Sequence, residues 1–154
     1  MKIAIGSDHA GFNLKDEIAL FLRGLGHEVE DVGTYTDASV DYPDFARLVA
    51  EEVAEGKAER GIAICGTGIG MAMAANKIPG IRAAVCHNEY TAEMARRHNN
   101  ANVLTIGSRV LTPELANRVV QVWMETGFDG NRHQERVNKI GRLESASGGR
   151  DQTE

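Results

Sequence analysis

The sequence predicts an α/β fold, a single-domain, Rossmann-like three-layer α/β/α sandwich around a five-stranded parallel sheet. Three observations carry this. Short apolar runs rich in β-branched residues recur five times. Each is followed by a segment with apolar residues at helical spacing. No internal repeat divides the 154 residues, a length that fits one domain. Strands alternating with helices imply parallel pairing with both sheet faces covered.

Lys2 to Gly6 reads as the first strand. Leu14, Ile18, Phe21, Leu22 and Leu25 then mark one helical face, which Gly26 stops. Glu28 to Val32 is the second strand, and Thr34 to Tyr42 a polar loop. Pro43 suits the first turn of the next helix, with Asp41 or Tyr42 near its cap and Gly56 closing it. Gly61 to Cys65 is strand three, followed by a helix to about Lys77. Arg82 to Cys86 is strand four, Glu89 to Arg97 a helix, and Val103 to Ile106 strand five. Pro113 opens a helix whose core face holds Leu115, Val119, Val122 and Trp123. Arg132 to Leu143 is a last amphipathic piece. The domain is expected over 1–144, with the tail 145–154, SASGGRDQTE, disordered.

The common five-strand order, 2-1-3-4-5, puts strands one and three at the switch point, where ligands bind beyond the carboxyl ends. That order sets Ser7-Asp8-His9 beside Cys65-Gly66-Thr67.

Hydrophobic content of 42% and charged content of 25% are ordinary for a globular protein. A net charge of -5 argues against nucleic acid or a membrane surface as the main partner. No apolar run approaches the ~18 residues that span a bilayer, and the N-terminus reaches Asp8 too soon for a signal peptide. The cytoplasm is the expected compartment. Cys65 and Cys86 form neither a zinc pattern nor a disulfide framework.

The chemistry concentrates in Gly61 to Lys77, GIAICGTGIGMAMAANK. Strand, glycine-rich turn and helix start meet there, a junction that presents backbone N–H groups to an anion. A thiolate at Cys65 would feel the same field. Gly66, Gly68 and Gly70 match neither the Rossmann fingerprint nor a P-loop. On spacing alone they fit an anion site or simply a tightly packed turn. Cys65 alone fits a core thiol equally well, and Cys86 reads as structural. Asp8 and His9 either cap the following helix or handle protons and phosphate. His98-Asn99 suits a helix C-terminus. Arg132 and Arg136 share one helical face, either a solvated surface or a phosphate grip. Arg96-Arg97 read as surface and Trp123 as core.

Together GSDHAGFNLK, DYPDFA, ICGTGIGMAMAANK, GIRAAVC, HNNANVLTIGSR and GNRHQERV strongly resemble the ribose-5-phosphate isomerase B family of sugar-phosphate isomerases, in order and across all but the tail. The resemblance implies aldose-ketose isomerisation of a sugar phosphate, usually ribose 5-phosphate and ribulose 5-phosphate in the pentose phosphate pathway, through a cis-enediolate, with no metal and no organic cofactor. It implies Cys65 as the base that moves the proton between C2 and C1; some relatives instead use a glutamate where this chain has Met71. It implies Thr67 as the hydroxyl shuttling protons between O1 and O2, and His98 as the ring-opening group with Asp8 assisting. Asn99 and Tyr42 would contact the sugar. Arg109, Arg132 and Arg136, with His9, would hold the phosphate, and the turn at Gly66, Gly68 and Gly70 the enediolate. Homodimers or dimers of dimers with sites built from both subunits are implied too. Relatives act on galactose 6-phosphate, allose 6-phosphate or tetrulose phosphates, so the sugar stays open. A nucleotide-binding module is the competing reading from another class.

Overall fold

The computed structural model describes residues 1–147. Its elements are β1 (Lys2–Ser7), α1 (Phe12–Gly24), β2 (Glu28–Asp31), α2 (Tyr42–Ala54), β3 (Arg60–Cys65), α3 (Ile69–Ala75), β4 (Ala83–Val85), α4 (Glu89–Arg97), β5 (Val103–Gly107), α5 (Pro113–Glu125) and α6 (Arg132–Ser147). All strands pair in parallel. No helix of the described residues is long and apolar enough to cross a membrane.

The strands divide two cores by side-chain alternation. Ile3, Ile5, Ile62, Ile64, Leu104 and Ile106 meet Leu14 and Ile18 of α1, Ala92 of α4, and Val119 and Trp123 of α5. The smaller Ala4, Ala63, Cys65 and Val103 meet Ala46 and Val49 of α2 and Met71 of α3. Large side chains thus fill one layer. Small ones let α2 and α3 sit close on the other, the face that carries Cys65.

The strand order is β2-β1-β3-β5-β4, not the expected 2-1-3-4-5. Burial explains the exchange. β5, VLTIG, is buried along its whole length, whereas β4 is three partly exposed residues. The fully buried strand belongs inside, and the short one makes a tolerable edge. The switch point between β1 and β3 survives, but β5 rather than β4 now flanks β3.

Two other expectations change. Arg96 is not on the surface: it is 6% exposed. Its guanidinium donates to the carbonyls of Ala101 and Thr126 and to Asn100 Oδ1, and it lies over the Trp123 ring. Burial, with Arg60 and Arg82 nearby, lowers its pKa to about 10. The expected tail also starts too early, because α6 continues through Ser147; residues 148–154 of that expectation lie outside the described residues.

Lys15 is a further buried cation. Its ammonium pairs with Asp31 of β2 and Asp16 and approaches the rings of Phe12 and Tyr35. It ties α1 to the outer strand β2.

Candidate active site

In a parallel sheet the loops after strands gather at the carboxyl edge and the loops after helices at the amino edge. The carboxyl edge holds Asp8 and His9 after β1, Gly66 and Thr67 after β3, His87 after β4, and Ser108 and Arg109 after β5. Asp8, His9, Tyr42, Cys65, Gly66, Thr67, Gly70 and Arg109 line one pocket of about 490 Å³ there.

Cys65 ends β3, buried, and lines the pocket. The N–H of Gly68 donates to Cys65 Sγ at 3.1 Å. Gly68 holds φ +77°, and a side chain there would meet the Ile106 backbone at 2.9 Å; the turn therefore needs glycine twice over. Ile69 N–H donates to Thr67 Oγ1 at 3.3 Å. Two of the turn's donors are thus satisfied within the turn, by the thiol and the hydroxyl that the sequence singled out.

The neighbours are equally fixed. Asp8 is buried, and its Oδ1 accepts from Gly11 N–H at 3.1 Å. His9 Nδ1 lies 3.2 Å from the Val40 backbone, which anchors the loop after β2 over it. Tyr42 opens α2, with its ring against Gly70. Arg109, exposed at the mouth, lies over Gly66, and its own N–H donates to the Gly66 carbonyl at 3.0 Å. The corrected strand order makes that contact, since Cys65 is in register with Gly107.

The remaining expected residues do not join this pocket. His98 ends α4 and precedes β5, so it lies at the amino edge with Asn99. Its ring stacks on His133 of α6, centroids 4.2 Å apart and planes 11° from parallel. Arg132 and Arg136 are exposed beside it. Asp129 bridges Arg97 at this corner. Burial lowers the pKa of His133, with His98, Arg132 and Arg136 adding to the effect and Asp129 opposing it. His98, Asp129 and His133 bring ligand atoms within 4.8 Å of one another. Stacked imidazoles direct their lone pairs along parallel planes, however, rather than toward one ion at ~2.1 Å, and Asp129 already serves Arg97. We assign no metal to this cluster.

The match to known proteins decides the family. The ribose/galactose isomerase family model covers residues 3–140. The chain belongs to the ribose/galactose isomerase family. It is 50% identical over 143 residues to ribose-5-phosphate isomerase B of Escherichia coli K12, covering 93% of this chain and 96% of that one. A Clostridium thermocellum ribose-5-phosphate isomerase B structure superposes with a TM-score of 0.95 at 56% identity, over 96% of this chain and 99% of that one. A Mycoplasma genitalium ribose-5-phosphate isomerase B solved with bound ribulose 5-phosphate superposes at 0.90 and 46% identity, covering 94% and 96%.

As a member of this isomerase family the chain divides its expected site residues between two edges. Asp8, His9, Tyr42, Cys65, Gly66, Thr67, Gly68, Gly70 and Arg109 share one edge. His98, Asn99, Arg132 and Arg136 share the other. The sequence sets His133 beside Arg132 and Arg136 without giving it a role, and it does not single out His87. The contacts of both, His133 with His98 and His87 with the Thr67 carbonyl, form only in the fold.

Proposed function

We propose that this chain interconverts ribose 5-phosphate and ribulose 5-phosphate as a homodimer or dimer of dimers, each site joining the carboxyl edge of one copy to the amino edge of another. The observation that carries the chemistry is the Gly68 N–H on Cys65 Sγ, beside Thr67 and Asp8. The N–H is aimed at the sulfur that would take the proton, and the thiolate is the competent base.

His98 of the second copy, with Asp8, opens the sugar ring by moving a proton between the ring oxygen and the anomeric hydroxyl. Cys65 then takes the proton from C2. The electron pair forms the C1–C2 double bond and the carbonyl oxygen becomes an oxyanion, stabilised by unengaged N–H groups of the Gly66–Gly70 turn; one such donor is worth roughly 3 kcal/mol. Thr67 relays the proton between O1 and O2, and Cys65 returns its proton to C1. Arg109 and His9, with Arg132, Arg136 and Asn99 from the second copy, hold the phosphate and hydroxyls.

The second copy is argued from topology and from exposed apolar surface. α4 and the length of β5 separate His98 from Cys65 within one chain. Ile69 and Met73, on the pocket rim, are 48% and 66% exposed, surface that a partner would cover. Free thiols at Cys65 and Cys86 suit a reducing compartment such as the cytoplasm.

The test is turnover of a panel of five- and six-carbon sugar phosphates by the wild type and Cys65→Ala. Ribose 5-phosphate should be the best substrate, and the variant should lose at least about a hundredfold in kcat. Turnover of hexose phosphates alone, or an active variant, would reject this reading.

A further inference from the structure

We infer that His87 is a positioning residue for the Cys65 thiolate, acting through the peptide group that joins Thr67 to Gly68. Its Nε2 lies 3.1 Å from the Thr67 carbonyl oxygen. A carbonyl only accepts, so Nε2 carries the proton and donates. The N–H of that same peptide group is the one donated to Cys65 Sγ at 3.1 Å. One planar unit is therefore held at both ends, by imidazole at its oxygen and by sulfur at its nitrogen.

The fold goes to some length to build this relay. β5 stands between β3, which leads to Thr67, and β4, which leads to His87. The turn has to cross the end of β5 to reach the imidazole. It crosses at Gly107, where an added Cβ would lie 2.6 Å from Thr67 Cα. A side chain at 107 would lift the Thr67 peptide off the sheet edge.

Two effects follow for the thiol. Drawing electron density toward the carbonyl oxygen makes the N–H a stronger donor, as in any chain of hydrogen bonds, by about 10–30% per bond. The second effect is orientational. Gly68 at positive φ tolerates either orientation of the peptide before it. The flipped orientation would aim the Thr67 carbonyl at the sulfur and repel a thiolate. His87 holds the orientation that presents the N–H. Neutral imidazole and imidazolium both donate from Nε2, so the relay works in either protonation state of His87.

The other titratable groups lining the pocket with Cys65 come from the loop after β1, from α2 and from the loop after β5: Asp8, His9, Tyr42 and Arg109. Around His87, Cys86 is buried and Glu89 is paired with Arg118 at 3.0 Å. A His87 substitution leaves each of these side chains in the sequence, so the relay is the contact it removes.

The inference rests on Cys65 being the base, but its test does not. Iodoacetamide alkylation of Cys65, followed by mass spectrometry across pH 5–10, reads the thiolate fraction directly. In His87→Ala the midpoint of the profile should move up, and the rate at neutral pH should fall by about two- to fivefold. His87→Gln keeps an N–H donor and should recover most of the rate. With ribose 5-phosphate, kcat should fall in His87→Ala with KM nearly unchanged. Superimposable alkylation profiles for wild type and His87→Ala would overturn the inference, as would failure of His87→Gln to differ from His87→Ala. An active Cys65→Ala enzyme would remove the proposed base and leave the alkylation result intact, so the two failures are separable.

Discussion

Cys65 and His98 stand at opposite ends of the same sheet. The thiol closes β3 in register with Gly107, the last residue of β5, while the imidazole precedes Val103, the first. Five β5 residues at ~3.3 Å each separate the two edges. No rotamer brings the groups together inside one chain, so a reaction that uses both has to join two copies.

The two cysteines differ in environment and should differ in reactivity. Burial pushes the Cys86 thiol up to about 11, against a hydrogen bond involving Thr91 that acts the other way. At pH 8 only about one Cys86 in a thousand is then thiolate. Brief alkylation of the folded protein at pH 8 should label Cys65 and leave Cys86 intact by peptide mass spectrometry. Equal labelling would contradict this.

Lys15 is buried against Asp31 and Asp16. Removing the cation strands a partly buried carboxylate on β2, which typically costs about 3 kcal/mol or more. Lys15→Ala should therefore unfold at clearly lower urea. Asp31 remains partly exposed, which places the expected loss near ~3 rather than ~5 kcal/mol. A loss under about 1 kcal/mol would mean the pair is an ordinary surface bridge.

The lowered pKa of His133 fixes the sign of a pH effect. The folded chain binds this proton less readily than the unfolded chain, whose value is near 6.5. The unfolded state thus holds more protons as pH falls, and stability drops from about pH 6.5 downward. His133→Gln should flatten that part of the thermal-midpoint profile. Parallel profiles for the two proteins would show that His133 contributes nothing to it.

Much of this was legible in the sequence because local signals and burial agreed. β1, β3 and β5 are mostly apolar and β-branched, Pro43 and Pro113 mark helix starts, and Cys65 is conspicuous before its glycines. Strand order was not legible, since helical crossovers permit β4 and β5 to exchange places and only their relative burial decides. Arg96 read as surface because charge usually signals solvent; its burial depends on backbone carbonyls of Ala101 and Thr126 that come close only in the fold. His87 gave no signal, since its contact is with a carbonyl. The separation of His98 from Cys65 follows from strand and helix direction, and it becomes visible once each residue is assigned to an edge.

Subunit complementation tests the shared site most directly. Cys65→Ala and His98→Ala proteins, each nearly inactive with ribose 5-phosphate, are unfolded together, refolded at equal concentration and assayed. Random pairing makes half the dimers mixed, and each mixed dimer holds one intact site and one doubly altered site. Activity should return to about a quarter of wild type. If the mixture stays as inactive as its components, Cys65 and His98 do not serve one site from two copies, and the account fails.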